Sequence, residues 1–409
     1  MTSVDEKPAP PPTRLPAFLH TRVGGLPPGF WALWTGSFVN RLGTMVEPFL
    51  AFYLTGVRGL SAGATGLVLA LFGLGSIISQ VVGGVLADRV GRRATLTGGM
   101  LATAAAMLAL GYTTATPVLI VLVFVLGLTI DAFRPASQAL LADLVGPAER
   151  TRAFGLLFWA INLGFAVAMV LGGTLSRAGF SWLFWIDAAT SVMCGLLVWR
   201  AVPETRGRRA EREPGGLVDV LRDRVAVASV LVVLCYGIVY MQSYSTLPLA
   251  MRHAGLPPSA YGFAMALNGI GIVVVQPLLG AWLGRRDHSR VLAAGMAVVG
   301  AGFGLTAFAS SAWAFGATVL VWTLGEVLFA AVSTAIIADL APAHLRGRYS
   351  GLYGTAFAAA SLLGPPLGGG LLGLAPWSPW LACAVLCGVA ACGALALGPA
   401  VRRRRALMP

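Results

Sequence analysis

Long apolar runs separated by short polar turns dominate the chain. From Phe30 onward there are twelve of them, at about 30–56, 61–87, 94–114, 117–145, 152–176, 180–201, 225–250, 258–283, 289–311, 313–340, 347–374 and 378–400. Each is long enough to cross a bilayer as a helix, which takes about 20 apolar residues. The pattern predicts an all-α polytopic membrane protein with twelve transmembrane helices. Because the number is even, both ends lie on one side. Residues 1–29 are rich in Pro and Gly, carry no apolar core and read as a disordered tail, not a signal peptide. The longest polar interruption, 202–224, alternates Glu and Arg with Pro and Gly, and residues 401–409 form a basic tail. The expected organisation is a six-helix half at 30–201, a linker at 202–224 and a second six-helix half at 225–400.

An internal repeat supports this division. Shifted by 196 residues, Ala142-Asp143-Leu144 falls on Ala338-Asp339-Leu340, Arg150 and Arg152 on Arg346 and Arg348, and Gly155 on Gly351. The same shift places Gln80 on Gln276, Gly84 on Gly280, Arg89 on Arg285 and Gly172-Gly173 on Gly368-Gly369. Repeated membrane halves mark transporters, whose substrate sites form near mid-membrane where the halves meet and whose rocking alternates access.

Composition agrees with a membrane protein: 57% of residues are hydrophobic and 11% charged, against about a quarter charged in soluble domains. The net charge of +13 does not point to nucleic acid, because the arginines sit in turns and not on a soluble face interleaved with aromatics. Placing both ends in the cytoplasm puts 24 of the 29 basic residues there, the asymmetry expected at an inner, plasma membrane. Cys194, Cys235, Cys383, Cys387 and Cys392 lie inside apolar runs without metal-ligand spacing, so packing is their expected role. No cofactor is expected. Nucleotide loops, metal-ligand clusters and nucleophile–base pairs are all missing from the sequence, so an enzyme is not expected and an ion gradient is the expected energy source.

Between the second and third runs, Gly83-Gly84-Val85-Leu86-Ala87-Asp88-Arg89-Val90-Gly91-Arg92-Arg93 packs an acid and three arginines into a tight turn. Gly83 and Gly84 suit close helix approach, Gly91 suits a positive-φ turn, and Asp88 can hold arginines by charge-assisted hydrogen bonds. This stretch resembles the loop between the second and third helices of the major facilitator superfamily, matched in order by Asp88, Arg89, Gly91, Arg92 and Arg93. The resemblance covers nearly all of 30–400 and is strongest to the twelve-helix drug and proton antiporters. Asn40-Arg41-Leu42-Gly43-Thr44-Met45 with Pro48, and Asp131-Ala132-Phe133-Arg134-Pro135-Ala136, resemble first- and fourth-helix segments of bacterial multidrug exporters. The antiporter signature of the fifth helix lacks its Gly-Pro at 168–173, whereas Gly364-Pro365-Pro366-Leu367-Gly368-Gly369 carries it in the eleventh. The resemblance implies the major facilitator fold of two pseudo-symmetric halves, with the first, fourth, seventh and tenth helices lining a central cavity. It also implies a cytoplasmic relay in which Asp88, Arg92 and Asp143 hold the outward-open state, with mere anchoring of the turn to headgroups as the lesser alternative.

Charges inside the membrane are costly and usually face a cavity or a partner. Asn40, Thr44 and Glu47 recur on one face of the first run, and Asp131, Arg134 and Gln138 on one face of the fourth. The seventh carries Tyr236, Tyr240 and Tyr244, and the tenth Trp322 and Glu326. Glu47 has no basic partner at i±3 or i±4, and a carboxyl able to gain and lose a proton is what proton coupling requires. A structural carboxyl or a pair with Arg134 is the alternative for Glu47, Asp131 with Arg134 fits a fixed ion pair as well as a working one, and the aromatics fit packing as readily as ligand contact. Asp187, near the outer end of the sixth run, reads as an interfacial polar anchor. The expected function is proton-coupled export of small lipophilic compounds, cationic or neutral, by a monomer in the bilayer, with Glu47, Asp131, Arg134 and Glu326 as coupling groups. Uptake symport of a metabolite, or a receptor on the same scaffold, is the alternative.

Overall fold

The computed structural model describes residues 25–130, 141, 144–146, 149–201, 217–283, 286–341 and 345–407. Among these residues the regular structure is entirely helical. In the first part of the chain lie α1 (Pro28–Gly43), α2 (Val46–Phe52), α3 (Ala62–Arg89), α4 (Arg92–Tyr112), α5 (Thr116–Ile130), α6 (Arg150–Leu175) and α7 (Ser181–Ala201). Then follow a short α8 (Leu217–Arg222), α9 (Arg224–His253), α10 (Pro258–Leu283), α11 (His288–Leu305), α12 (Ala312–Leu340), α13 (Arg346–Leu374) and α14 (Ser378–Leu407). Ten of the described helices are long and apolar enough to cross a membrane. The first predicted span is broken into α1 and α2, and the described part of the fourth is the 15-residue α5, with residues 131–140 of that span outside the described residues. Large apolar side chains such as Leu67, Val121, Leu278, Val385 and Val389 are exposed along the helices, and Trp182, Trp185, Trp313 and Trp377 stand exposed at span ends. A lipid surround with aromatic anchors at the interface accounts for both.

The break in the first span has a local cause. Pro48 sits in the first turn of α2, where its missing N–H costs nothing, and Thr44 leaves the helical region with ψ of 73°. Backbone donors freed inside a membrane need partners, and Asp187 on α7 supplies one by accepting from Val46 N at 3.3 Å. Asp187 is therefore not an interfacial anchor: its side chain is only 2% exposed, and it caps α2 from within the bundle.

The two parts of the chain meet along α3 with α13, α6 with α10, and α2 with α9. Glycines set how closely. A Cβ on Gly66 would lie 2.6 Å from Pro365 O, one on Gly369 2.7 Å from Ala62 O, and one on Gly269 2.9 Å from Asn162 O. Gly73 against Ser361 and Gly262 against Met169 are tighter still. All these contacts lie between mid-helix and the face that carries the loops at 58–61, 176–180 and 254–257. Toward the opposite, basic face of the same helices, Gly155, Gly351 and Gly354 have no atom within 4 Å of where a Cβ would stand.

At the basic face, two aspartates cap helices and gather the end of α14. Asp223 accepts from Val225 N and Ala226 N at 3.1 and 3.2 Å, from Tyr349 Oη at 2.7 Å and from both terminal nitrogens of Arg404. Asp287 caps α11 and accepts from Arg402 at 2.8 Å. Burial would raise the pKa of Asp223, but the hydrogen bonds from Arg404 and Tyr349 outweigh it and hold the carboxyl at about 2. Gly91 turns α3 into α4 with φ of 124°, and Arg93 lies 4.5 Å over the Trp199 ring. Gly84 and Asp88 fall within α3 with their side chains outside the description, and Asp143 lies outside the described residues.

Two outcomes follow. Gly73→Val should destabilise the purified protein by about 1–3 kcal/mol, the cost of overpacking, while Gly155→Ala, at an open helical position, should raise the melting midpoint slightly, by about 0.5–1 kcal/mol of helix propensity. Asp223→Asn should cost about 1 kcal/mol at neutral pH after solvent screening. Because the folded pKa is depressed, that contribution is full above the unfolded value near 3.9 and vanishes as pH falls toward 2. The melting difference between wild type and variant should accordingly hold at neutral pH and shrink in acid.

Candidate functional site

A cavity of about 230 Å³ lies between the two parts of the chain, walled by both segments of the first span and by α3, α6, α9 and α13. Thr44, Glu47 and Pro48 come from the first span, Tyr240 and Tyr244 from α9, and Pro365 from α13. These are the predicted site residues that the fold brings together. Tyr240 Oη and Tyr244 Oη are 3.2 Å apart, and the Tyr244 ring meets Phe165 of α6 edge-on at 6.4 Å across the cavity.

Several lining residues go beyond the sequence expectation. Arg41 was not among the expected cavity residues, yet it lines this cavity with its guanidinium 5.9 Å from the centroid of the Phe165 ring. Its spacing of three from Thr44 puts both on one helical face, a signal present in the sequence. Phe72 with Ser76 on α3, and Phe357 with Ser361 on α13, line the cavity at i, i+4. The 196-residue shift also carries Phe165 onto Ser361, so equivalent positions of the two halves face one space. The lining thus combines a carboxylate, a guanidinium, hydroxyls and aromatic faces, a surface able to hold a small amphipathic organic molecule.

Other predicted residues lie elsewhere. Trp322, 1% exposed, stacks on Phe303 at 5.3 Å and abuts Tyr240 from behind at 6.4 Å. Tyr236 stacks flat on Phe329 at 3.6 Å. Both are packing supports and not cavity wall, because they face other helices and not the gap. Glu326 accepts from Asn268 Nδ2 at 2.7 Å, which also donates to Thr323 Oγ1 at 2.9 Å, making a buried link between α10 and α12 away from the cavity. Gly364 meets α9, where its carbonyl accepts from Gln242 Nε2 at 3.0 Å. Asn40 lines a separate small cavity inside the first part of the chain, which Thr44 shares. Asp131, Arg134 and Gln138 lie outside the described residues.

A helical bundle that spans the membrane, joins two repeated parts around a mixed polar and aromatic cavity, and closes tightly at one face defines a secondary transporter. The Major Facilitator Superfamily profile matches residues 33–257 and 231–407, and the chain belongs to that family. It is 29% identical over 366 residues to the multidrug resistance protein MdtH of Aeromonas salmonicida, covering 86% of this chain and 91% of the relative. It is 27% identical to the inner membrane transport protein YajR of Escherichia coli over 84% of this chain and 77% of that protein. The fold is also that of the peptide transporter POT solved with sulfate, with a TM-score of 0.76 at 18% identity over 94% of this chain and 96% of that one. The protein is a membrane transporter for small molecules and not an enzyme.

The cavity wall and its support separate by mutation. Trp322→Ala should destabilise the protein by about 3–5 kcal/mol, as loss of a buried aromatic does, without a direct ligand contact being removed. Tyr240→Ala, at a half-buried ring of the cavity wall, should cost distinctly less. Melting curves of the purified variants distinguish the two roles.

Proposed function

We propose that the protein exports small lipophilic compounds, cationic or neutral, in exchange for protons, by alternating access. The observation that carries this is the placement of Glu47 in the wall of an aromatic-lined cavity between the two halves. A carboxylate there can hold either a proton or a cationic substrate, and the two uses exclude each other. Exclusion of that kind is what exchange requires. Aromatic faces from both halves would bind varied apolar compounds loosely, and the relatives named for multidrug resistance favour the same direction.

Both termini lie in the cytoplasm of the inner membrane, as the distribution of arginines favours. With that orientation the closely packed face is outside, and the described arrangement is closed outward. The halves at 30–201 and 225–400 rock as units. Asp88, Arg89, Gly91, Arg92, Arg93 and Asp143 act at the cytoplasmic gate, and Gly84 with Gly364 and Pro365 permits the sliding of α3 and α13. Asp131 and Arg134 share the coupling with Glu47, and Glu326 tunes the second half from behind the cavity wall. The working unit is a monomer.

Arg41 in the same cavity favours one further reading, symport of a metabolite that carries an acidic group. Proteoliposomes loaded with a lipophilic fluorescent cation separate the two. Under an imposed pH gradient, wild type should move the dye against the proton flow and an uncoupler should abolish the movement. Glu47→Gln should lose gradient-driven transport by tenfold or more, about 1.4 kcal/mol or beyond, while still binding dye. Absence of dye movement by well-folded protein, with gradient-driven accumulation of an organic acid instead, would put symport first.

A further inference from the structure

A second site lies behind the central cavity. Between α1, α4, α5 and α7 a separate space of about 20 Å³ is lined by Asn40, Thr44, Thr103, Thr129, Asp187 and Ser191. That is room for one water or one small ion. Asp187 is 2% exposed and lines this space while the backbone N–H groups of Val46 and Met45 serve it from the side of α2.

Three of the four hydroxyls around it are oriented by their own backbone. Thr44 Oγ1 donates to Asn40 O at 3.0 Å, Thr103 Oγ1 to Gly99 O at 2.9 Å, and Thr129 Oγ1 to Leu126 O at 3.1 Å. A hydroxyl that has given its proton to the backbone has only lone pairs left to offer. Asn40 adds an amide that can present either its oxygen or its nitrogen, so acceptors predominate in the ring around one carboxyl. Such a ring repels anions, and a carboxylate buried there must be neutralised by something positive. Among the described residues the charged groups near Asp187 are Glu47 and Arg41, both on the first span. The described residues of α4 and α5 contribute hydroxyls, and Asp131 and Arg134, next in sequence after α5, lie outside the described residues.

The geometry points to a monovalent-cation site at Asp187, which takes up a single positive charge among the hydroxyls of Thr44, Thr103, Thr129 and Ser191. The charge arrives as a proton on the carboxyl or as a dehydrated sodium ion held by hard oxygen ligands. Thr44 lines both spaces, so it is the partition between this site and the substrate cavity. The charge state of Asp187 acts on Glu47 across the first turn of α2, and its occupancy sets the ease with which Glu47 ionises. This coupling role rests on the export reading; binding of the cation does not.

Melting of the purified protein tests it without substrate or gradient. Sodium is titrated against N-methyl-glucamine at fixed pH and constant chloride, and pH is then varied without sodium. If sodium is the occupant, it raises the wild-type midpoint by a few degrees with single-site saturation, and Asp187→Asn abolishes the shift. If the proton is the occupant, sodium does nothing, and acidification stabilises wild type relative to Asp187→Asn. Parallel responses of wild type and Asp187→Asn in both titrations would overturn the proposal. Should Asp187→Asn not fold, Thr103→Val keeps the carboxyl and removes one ligand. It should weaken the sodium response several-fold or displace the acid response, and an unchanged response overturns the site. Absence of dye export with an intact sodium or acid response would sink the export reading alone.

Discussion

Backbone-to-backbone contact between the two halves is the constraint on which the rest of this structure depends. Where α3 meets α13 and α6 meets α10, glycines let main-chain atoms approach so closely that a methyl group would collide with a carbonyl. Lipid offers no hydrophobic drive for helices to associate, so close van der Waals packing of small residues must supply it. The contacts occupy one half of the membrane depth. Toward the basic face the same helices carry glycines with open space beside them, and the central cavity lies where the packing ends. Because such an interface forms or parts as a unit, closure at one face is compatible with opening at the other.

The second constraint is that every polar group inside the bundle needs a use. The broken first span shows how this is met. Pro48 and the turn at Thr44 free backbone donors, Asp187 accepts from one of them, and the bend carries Thr44, Glu47 and Arg41 to the cavity wall. Structural and functional demands fall on the same residues here. A break that merely weakened the helix would have no reason to sit beside a buried carboxyl and three backbone-anchored hydroxyls.

Much of this was legible in the sequence. Apolar run length set the spans, the 196-residue repeat set the pseudo-symmetry, and the Asp-Arg pair at the end of α3 with the Gly-Arg-Arg after it pointed to the family. At the site, Thr44, Glu47, Tyr240 and Tyr244 stood out in the sequence as polar residues at helical spacing in apolar runs, and they line the cavity. For Trp322 and Tyr236 the sequence left packing and ligand contact open, because an aromatic at a given depth looks alike whether it faces the gap or a neighbouring helix, and here both stack on neighbouring helices. Arg41 was not expected there, although its spacing from Thr44 puts it on the same helical face, and only the fold shows it beside Phe165 on the cavity wall. Asp187 was misread because a residue six from a span end looks interfacial until the neighbouring helix is seen to cover it.

The measurement closest to the central claim is the distance between the halves at the packed face, read by electron spin resonance between labels at Ser61→Cys and Trp377→Cys in reconstituted protein with its exposed native cysteine, Cys392, replaced. Alternating access predicts a short distance in the resting protein and a second, longer population when substrate and a pH gradient are supplied together. Labels at Gly155→Cys and Leu278→Cys, toward the basic face, should shorten as that population appears. Active transport with an invariant distance at the packed face would contradict the account.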